Sequence, residues 1–117
     1  MSNPLHFTEA WFDLGILTAD MLKQLESEYR TSNDKNPEHY RWRAFNEFAK
    51  SKRPLDANTA KALYELGNHD PDFQLGGSIM AEILRMEECP DELIEMAFRS
   101  NREHLVKIAS RKRGEER

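Results

Sequence analysis

Three places in this sequence hold side chains of the kinds that do chemistry. Residues 68–84 read NHDPDFQLGGSIMAEIL and join a His-Asp pair to two glycines. His69 and Asp70 are types that ligate a divalent metal, and a glycine pair is how a backbone comes close to a phosphate. Cys89 offers a thiol. The stretch RWRAFNEFAKSKR, residues 41–53, interleaves cations with Trp42, Phe45 and Phe48, as a stacking platform for single-stranded nucleic acid would.

Spacing favours structural uses for all three. Asp70 stands before Pro71, where an acid serves as a helix N-cap with its carboxylate turned to its own backbone. Gly76 and Gly77 lack the GxxxxGK pattern, no strand precedes them, and Asp70 and Asp72 would repel a phosphate. Counted from Phe73 they fall at i+3 and i+4, on the apolar stripe of their own helix. A helical glycine costs up to about 1 kcal/mol relative to alanine, so close approach by another helix, or filling by Trp42, Tyr64 or Phe98, is expected there. Trp42, Phe45 and Phe48 share one helical face, which makes them core. Cys89 has no histidine at readable spacing and reads as an inert thiol; Glu87 and Glu88 are adjacent and point apart. His39, the His69-Asp70 pair and Asp91 resemble in order the His, His-Asp, Asp arrangement of metal-dependent HD phosphohydrolases, which implies only a minor alternative, a metal-dependent hydrolase around His69-Asp70. No enzyme, catalytic residue, metal or cofactor is expected.

The elements that position these residues are helices. Pro37, Pro71 and Pro90 follow Asn36, Asp70 and Cys89 and are followed by acids, as at helix starts; Asn36 and Asp70 are good caps and Cys89 a poor one. Apolar residues then recur at three and four: Met21, Leu22, Leu25 and Tyr29 after the cap Thr18; Trp42, Phe45, Phe48 and Ala49; Ala60, Leu63, Tyr64 and Gly67 after Asp56; Phe73, Gly76, Gly77, Met80, Ile83 and Leu84 after Asp70; Leu93, Ile94, Ala97 and Phe98; and Leu105, Ile108 and Ala109 after Asn101. Gly67-Asn68 reads as a helix stop. The pattern predicts about six helices, with a short extra one around Glu9 to Leu14, and no strand.

The starts at Asn36 and Asp70 are 34 residues apart, and at that shift Pro37 meets Pro71, Phe45 meets Ile79, Ala60 meets Ile94 and Tyr64 meets Phe98. A period in the thirties spanning two helices is that of helical-hairpin repeats. The run from Leu66 to Ala109 resembles the HEAT, armadillo and leucine-rich-repeat-variant class of α-solenoids. That resemblance implies an all-α, right-handed αα-superhelix and a surface for another macromolecule. The expected organisation is one domain over residues 1–113: non-repeat helices over 1–35, a first repeat over 36–69, a second over 70–100 and a truncated one over 101–113. Residues 114–117 form a frayed tail.

At 117 residues, 38% hydrophobic and 32% charged, the chain suits one modest core. One cysteine, no apolar leader and no long apolar run lead to the expectation of a cytoplasmic protein without a membrane segment. The net charge of −4 hides alternating blocks: residues 1–38 sum to −4, 39–53 to +4, 54–95 to −8 and 96–117 to +4. Such blocks suit helices that pair through complementary faces better than a duplex footprint. The function read from this is a protein-protein interaction module or adaptor that presents Glu65, Glu82, Glu87, Glu88, Asp91, Glu92 and Glu95 to a basic partner. The alternative is a nucleic-acid-binding HEAT-like domain with Arg99, Arg102, Lys107, Arg111, Lys112 and Arg113 as phosphate contacts. A homodimer that caps the short stack is a further expectation.

Overall fold

The computed structural model of the chain describes residues 4–114, so of the tail expected over 114–117 all but Gly114 lies outside the described residues. It is all-α, with seven helices among the described residues rather than six: α1 Glu9–Asp13, α2 Ala19–Thr31, α3 Pro37–Ser51, α4 Ala57–Asn68, α5 Phe73–Arg85, α6 Asp91–Phe98 and α7 Glu103–Lys112. The extra one is the short α1. The chain divides into two compact units, Met1–Arg53 and Pro54–Arg117. This boundary falls between α3 and α4, inside the span expected as the first repeat.

In the first unit, Gly15 turns the chain just beyond α1 with a φ of +77°; its N–H donates to the Phe12 carbonyl and the Ile16 N–H to the Trp11 carbonyl. The chain then enters α2 through Thr18, whose hydroxyl accepts from the Met21 N–H at 3.2 Å. Leu5, Phe7, Trp11, Leu17, Leu25 and Phe45 are buried. Phe7 meets Trp11 edge-on at 5.0 Å and Tyr29 meets Tyr40 at 5.7 Å. Arg41 is buried as well, and its Nη1 donates to the Leu5 carbonyl at 2.7 Å, so a base of the aromatic and basic helix lies inside the fold. Trp42 and Phe45 stand 5.6 Å apart on α3, with Phe45 fully buried. Asn36 precedes Pro37 as expected but makes no capping bond with its side chain.

In the second unit, α5 is the central helix and packs on both α4 and α7, while α6 packs on α7. Leu75, Ile79, Met80, Ala81, Ile83 and Leu84 are all buried, which is why this stretch reads as apolar nearly all round. The α5 start differs from expectation. Asp70 does not cap the helix: its Oδ1 accepts the Asp72 N–H at 2.8 Å and tightens the loop, and Asp72 is the cap, accepting from the Leu75 N–H at 2.7 Å. Either acid could cap on sequence grounds; the loop turn takes the first and leaves the second to the helix. Asn101 likewise gives way to Arg102 at the N-cap position of α7, where the Ser100 hydroxyl accepts the Arg102 N–H at 3.0 Å.

Gly67 does not serve as a stop glycine. α4 does end at Asn68, but Gly67 is helical and buried and lies against Gly76 of α5. A Cβ on Gly67 would come within 2.9 Å of the Gly76 carbonyl oxygen, and a Cβ on Gly76 would overlap the Gly67 carbonyl oxygen. The close approach expected at Gly76 is therefore backbone on backbone, made by a second glycine rather than by an aromatic ring.

Candidate functional site

Gly77 lies under a different group. Its missing Cβ leaves room for the Arg102 guanidinium, whose Nη1 would be 2.6 Å from a Cβ there, and for the His104 ring. Arg102 stands where α7 begins and is only 7% exposed. Its Nη1 donates to the Phe73 carbonyl at 2.6 Å, and its guanidinium carbon lies 3.6 Å from the centre of the Phe73 ring. Phe73, the first residue of α5, is 61% exposed, the most exposed large apolar side chain among the described residues. A buried cation thus holds an exposed ring in place, through one hydrogen bond and a cation–π contact. Burial lowers the Arg102 pKa from its ordinary value and the nearby Tyr64 opposes that fall; the guanidinium stays charged at neutral pH. Tyr64 is itself buried, and its phenol is pushed up to about 12.

The acids expected to form an interaction surface are mostly engaged within the chain. Glu65 pairs with His69 at 3.3 Å, Glu82 with Arg85 at 3.6 Å and Glu92 with Lys61 at 3.3 Å. Glu95 pairs with Arg113, and Glu88 accepts the Leu55 N–H at 3.2 Å. Glu87 and Asp91 remain as exposed acids turned to solvent.

The six candidate phosphate contacts divide in the same way. Arg102 is inside. Lys112 donates to the Met86 carbonyl at 2.6 Å, and Arg113 pairs with Glu95 and lies 5.1 Å from the Phe98 ring. Arg111 is engaged too, and Arg99 and Lys107 are exposed. The α7 cations therefore mostly tie α7 to the ends of α5 and α6.

The His-Asp loop brings no ligand set together. His69 faces Glu65 and Asp70 faces the loop backbone, while in the first unit His39 bonds Asp34 at 2.9 Å. Among the described residues no group of three or more His, Cys, Asp or Glu side chains could hold a metal. Cys89 is half-buried, and that burial raises its thiol above the ordinary 9.0, against the pull of Lys112.

In the first unit a cavity of about 140 Å³ lies between α2 and α3, lined by Met21, Gln24, Leu25, Glu28, Arg43, Ala44 and Glu47. Arg43 and Glu28 close one side of it with a 2.7 Å ion pair. No helix among the described residues is long and apolar enough to cross a membrane. Compared with protein-family models, curated proteins and solved structures, the chain matches none.

The residues that sequence reasoning missed are Phe73 and the burial of Arg102. The spacing places Phe73 on the apolar stripe with Gly76, Gly77, Met80, Ile83 and Leu84, and its exposure corrects that expectation: as the first residue after the cap Asp72, it stands at the open end of the helix. The signal for Arg102 was the hollow over Gly77, which a long aliphatic stem carrying a cation fills as well as an aromatic ring does.

Proposed function

We propose that this protein is a small helical interaction module that binds another protein through the second unit, with Phe73 as the central contact. The observation that carries this reading is the Phe73–Arg102 pair: a phenyl ring 61% exposed, fixed by a guanidinium 3.6 Å away. Exposed aromatic rings that are already held still lose little freedom on binding, and aromatic and arginine side chains carry much of the energy of protein interfaces. Met96, 40% exposed on α6, is a second apolar group on this unit.

The reading keeps the helical-repeat architecture as part of the proposal. α4 and α6 begin at Ala57 and Asp91, 34 residues apart, while α3 and α5, the pair from which the period was drawn, begin at Pro37 and Phe73, 36 apart. A basic partner meeting Glu87 and Asp91 is weaker as a leading idea, because most of the other acids already have partners. Nucleic acid is less favoured for the same reason at Arg102, Lys112 and Arg113.

The test is capture from a lysate with the wild-type protein and with Phe73→Ser, each with and without nuclease. The module reading expects proteins retained by wild type, lost with Phe73→Ser and insensitive to nuclease. Capture that nuclease abolishes, with Phe73→Ser without effect, moves the assignment to nucleic acid. A self-association that Phe73→Ser breaks, seen by sedimentation, identifies the partner as a second copy.

A further inference from the structure

Among the described residues Arg102 is the one buried charged side chain of the second unit, and no acid there pairs with it. A guanidinium carries five N–H donors. Among the described residues only Nη1 is used, on the Phe73 carbonyl, and the group whose charge bears on Arg102 is Tyr64 rather than a carboxylate. Yet no buried side-chain nitrogen among the described residues lacks a partner. The Nε and Nη2 edge, which makes no bond, therefore keeps some exposure to solvent, with Nη2 lying 3.5 Å from where a Cβ on Gly76 would stand.

Two adjacent N–H groups in one plane fit the two oxygens of a carboxylate. The nearest acids in the sequence do not supply it: Asp72 is held by the Leu75 N–H, and Asp70 by the Asp72 N–H. Charge decides between carboxylate and phosphate. The second unit, residues 54–117, sums to −4, a setting that opposes a doubly charged phosphate more than a singly charged carboxylate. Arg99, at the end of α6, and Lys107, midway along α7, are both exposed.

From this we infer that Arg102 receives a carboxylate of the partner protein, an Asp or Glu side chain set beside an apolar residue that covers Phe73. The inference rests on the module reading and names the chemistry of the partner. It explains why a charge is kept inside this unit, where an uncharged side chain of similar length would fill the hollow over Gly77 without a desolvated cation.

The experiment is an NMR titration of the full chain that follows the Arg102 Nε–Hε resonance with sodium acetate, sodium phosphate and sodium chloride at matched ionic strength. Acetate is expected to shift it saturably and chloride not to. Arg102→Lys keeps the charge but loses the fork, and the acetate response of the Phe73 and His104 backbone amides should weaken by about tenfold. Equal, non-saturating responses to acetate and chloride overturn the inference, and a saturable response to phosphate in preference to acetate overturns the choice of carboxylate. Should Arg102→Lys fail to fold by circular dichroism, the wild-type comparison of the three salts decides alone. Protein capture that depends on Phe73 without an acetate response sinks this inference and leaves the module standing. An acetate response without Phe73-dependent capture sinks the module reading and, with it, the assignment of the carboxylate to a partner protein.

Discussion

Two neighbouring glycines on α5 both lie under the Arg102 guanidinium but differ in their closest neighbour, and this difference is testable one residue at a time. A Cβ at Gly76 runs into the Gly67 carbonyl, part of a helix backbone that cannot turn aside, so α4 and α5 must separate. Gly76→Ala is expected to destabilise by more than about 2 kcal/mol in urea unfolding. A Cβ at Gly77 meets the Arg102 Nη1 at 2.6 Å and the His104 ring at 3.2 Å, the far ends of side chains that can move. Gly77→Ala also gains helix propensity, so its stability should stay within about 1 kcal/mol of wild type. Equal losses at both sites would remove the distinction between backbone and side-chain contact. Cys89 gives a second prediction at this scale. Burial raises its pKa and leaves less thiolate near neutral pH, so iodoacetamide should alkylate it about tenfold more slowly in the folded protein than in urea. Lys112→Met, which removes the charge that lowers this pKa, should slow it further. The sequence showed that Gly76 needs a close neighbour, because a glycine on an apolar stripe is otherwise a loss. That the neighbour is Gly67 depends on how α4 crosses α5, which no local spacing encodes.

Among the elements, the helices after Thr18, Asn36, Asp56 and Pro90 were legible because a start signal, a helical apolar period and a loop agree at each. The misplaced start of α5 shows the limit. In Asp70-Pro71-Asp72 two acids compete for one role, and the loop bond from the Asp72 N–H to Asp70 settles it. Charge patterning was legible only as blocks, since pairs such as Lys61 with Glu92 and Arg113 with Glu95 join residues far apart in the chain. Cap chemistry also gives a pH prediction. Asp56 accepts the Thr59 N–H at 2.8 Å at the start of α4, and this bond, the largest cause, holds its pKa below the ordinary 3.8. A lowered folded pKa means that the stabilisation is fully present above the unfolded value near 3.8 and fades as pH falls through the lower folded value. Asp56→Asn keeps a capping oxygen without the titration. Urea unfolding between about pH 2 and pH 5 should therefore show a shallower loss of stability with acid for the variant; parallel curves would mean that Asp56 titrates alike in both states.

At the scale of the whole chain, the division at Arg53 and Pro54 carries its own consequence. The second unit has its own set of fully buried side chains, Leu63, Ile79, Ile83, Leu84, Leu93 and Leu105, and its helices are joined by α4 on α5, α5 on α7 and α6 on α7. It also holds the whole Phe73–Arg102 site and, by sequence, the entire net charge of −4, since residues 1–53 sum to zero. A unit of about 60 residues is near the lower limit for independent folding without a disulfide or metal. What favours it is that α5 packs on both α4 and α7 within the unit. The isolated segment Pro54–Arg117 is therefore expected to be helical by circular dichroism and to unfold cooperatively in urea, with an m value below that of the full chain because less surface is exposed. It should give the same NMR response to acetate at Arg102 as the intact protein. A segment that stays unfolded, or folds only when residues 1–53 are added in trans, would show that the two units form a single folding unit, and the 36–69 hairpin would then regain its place as the first repeat.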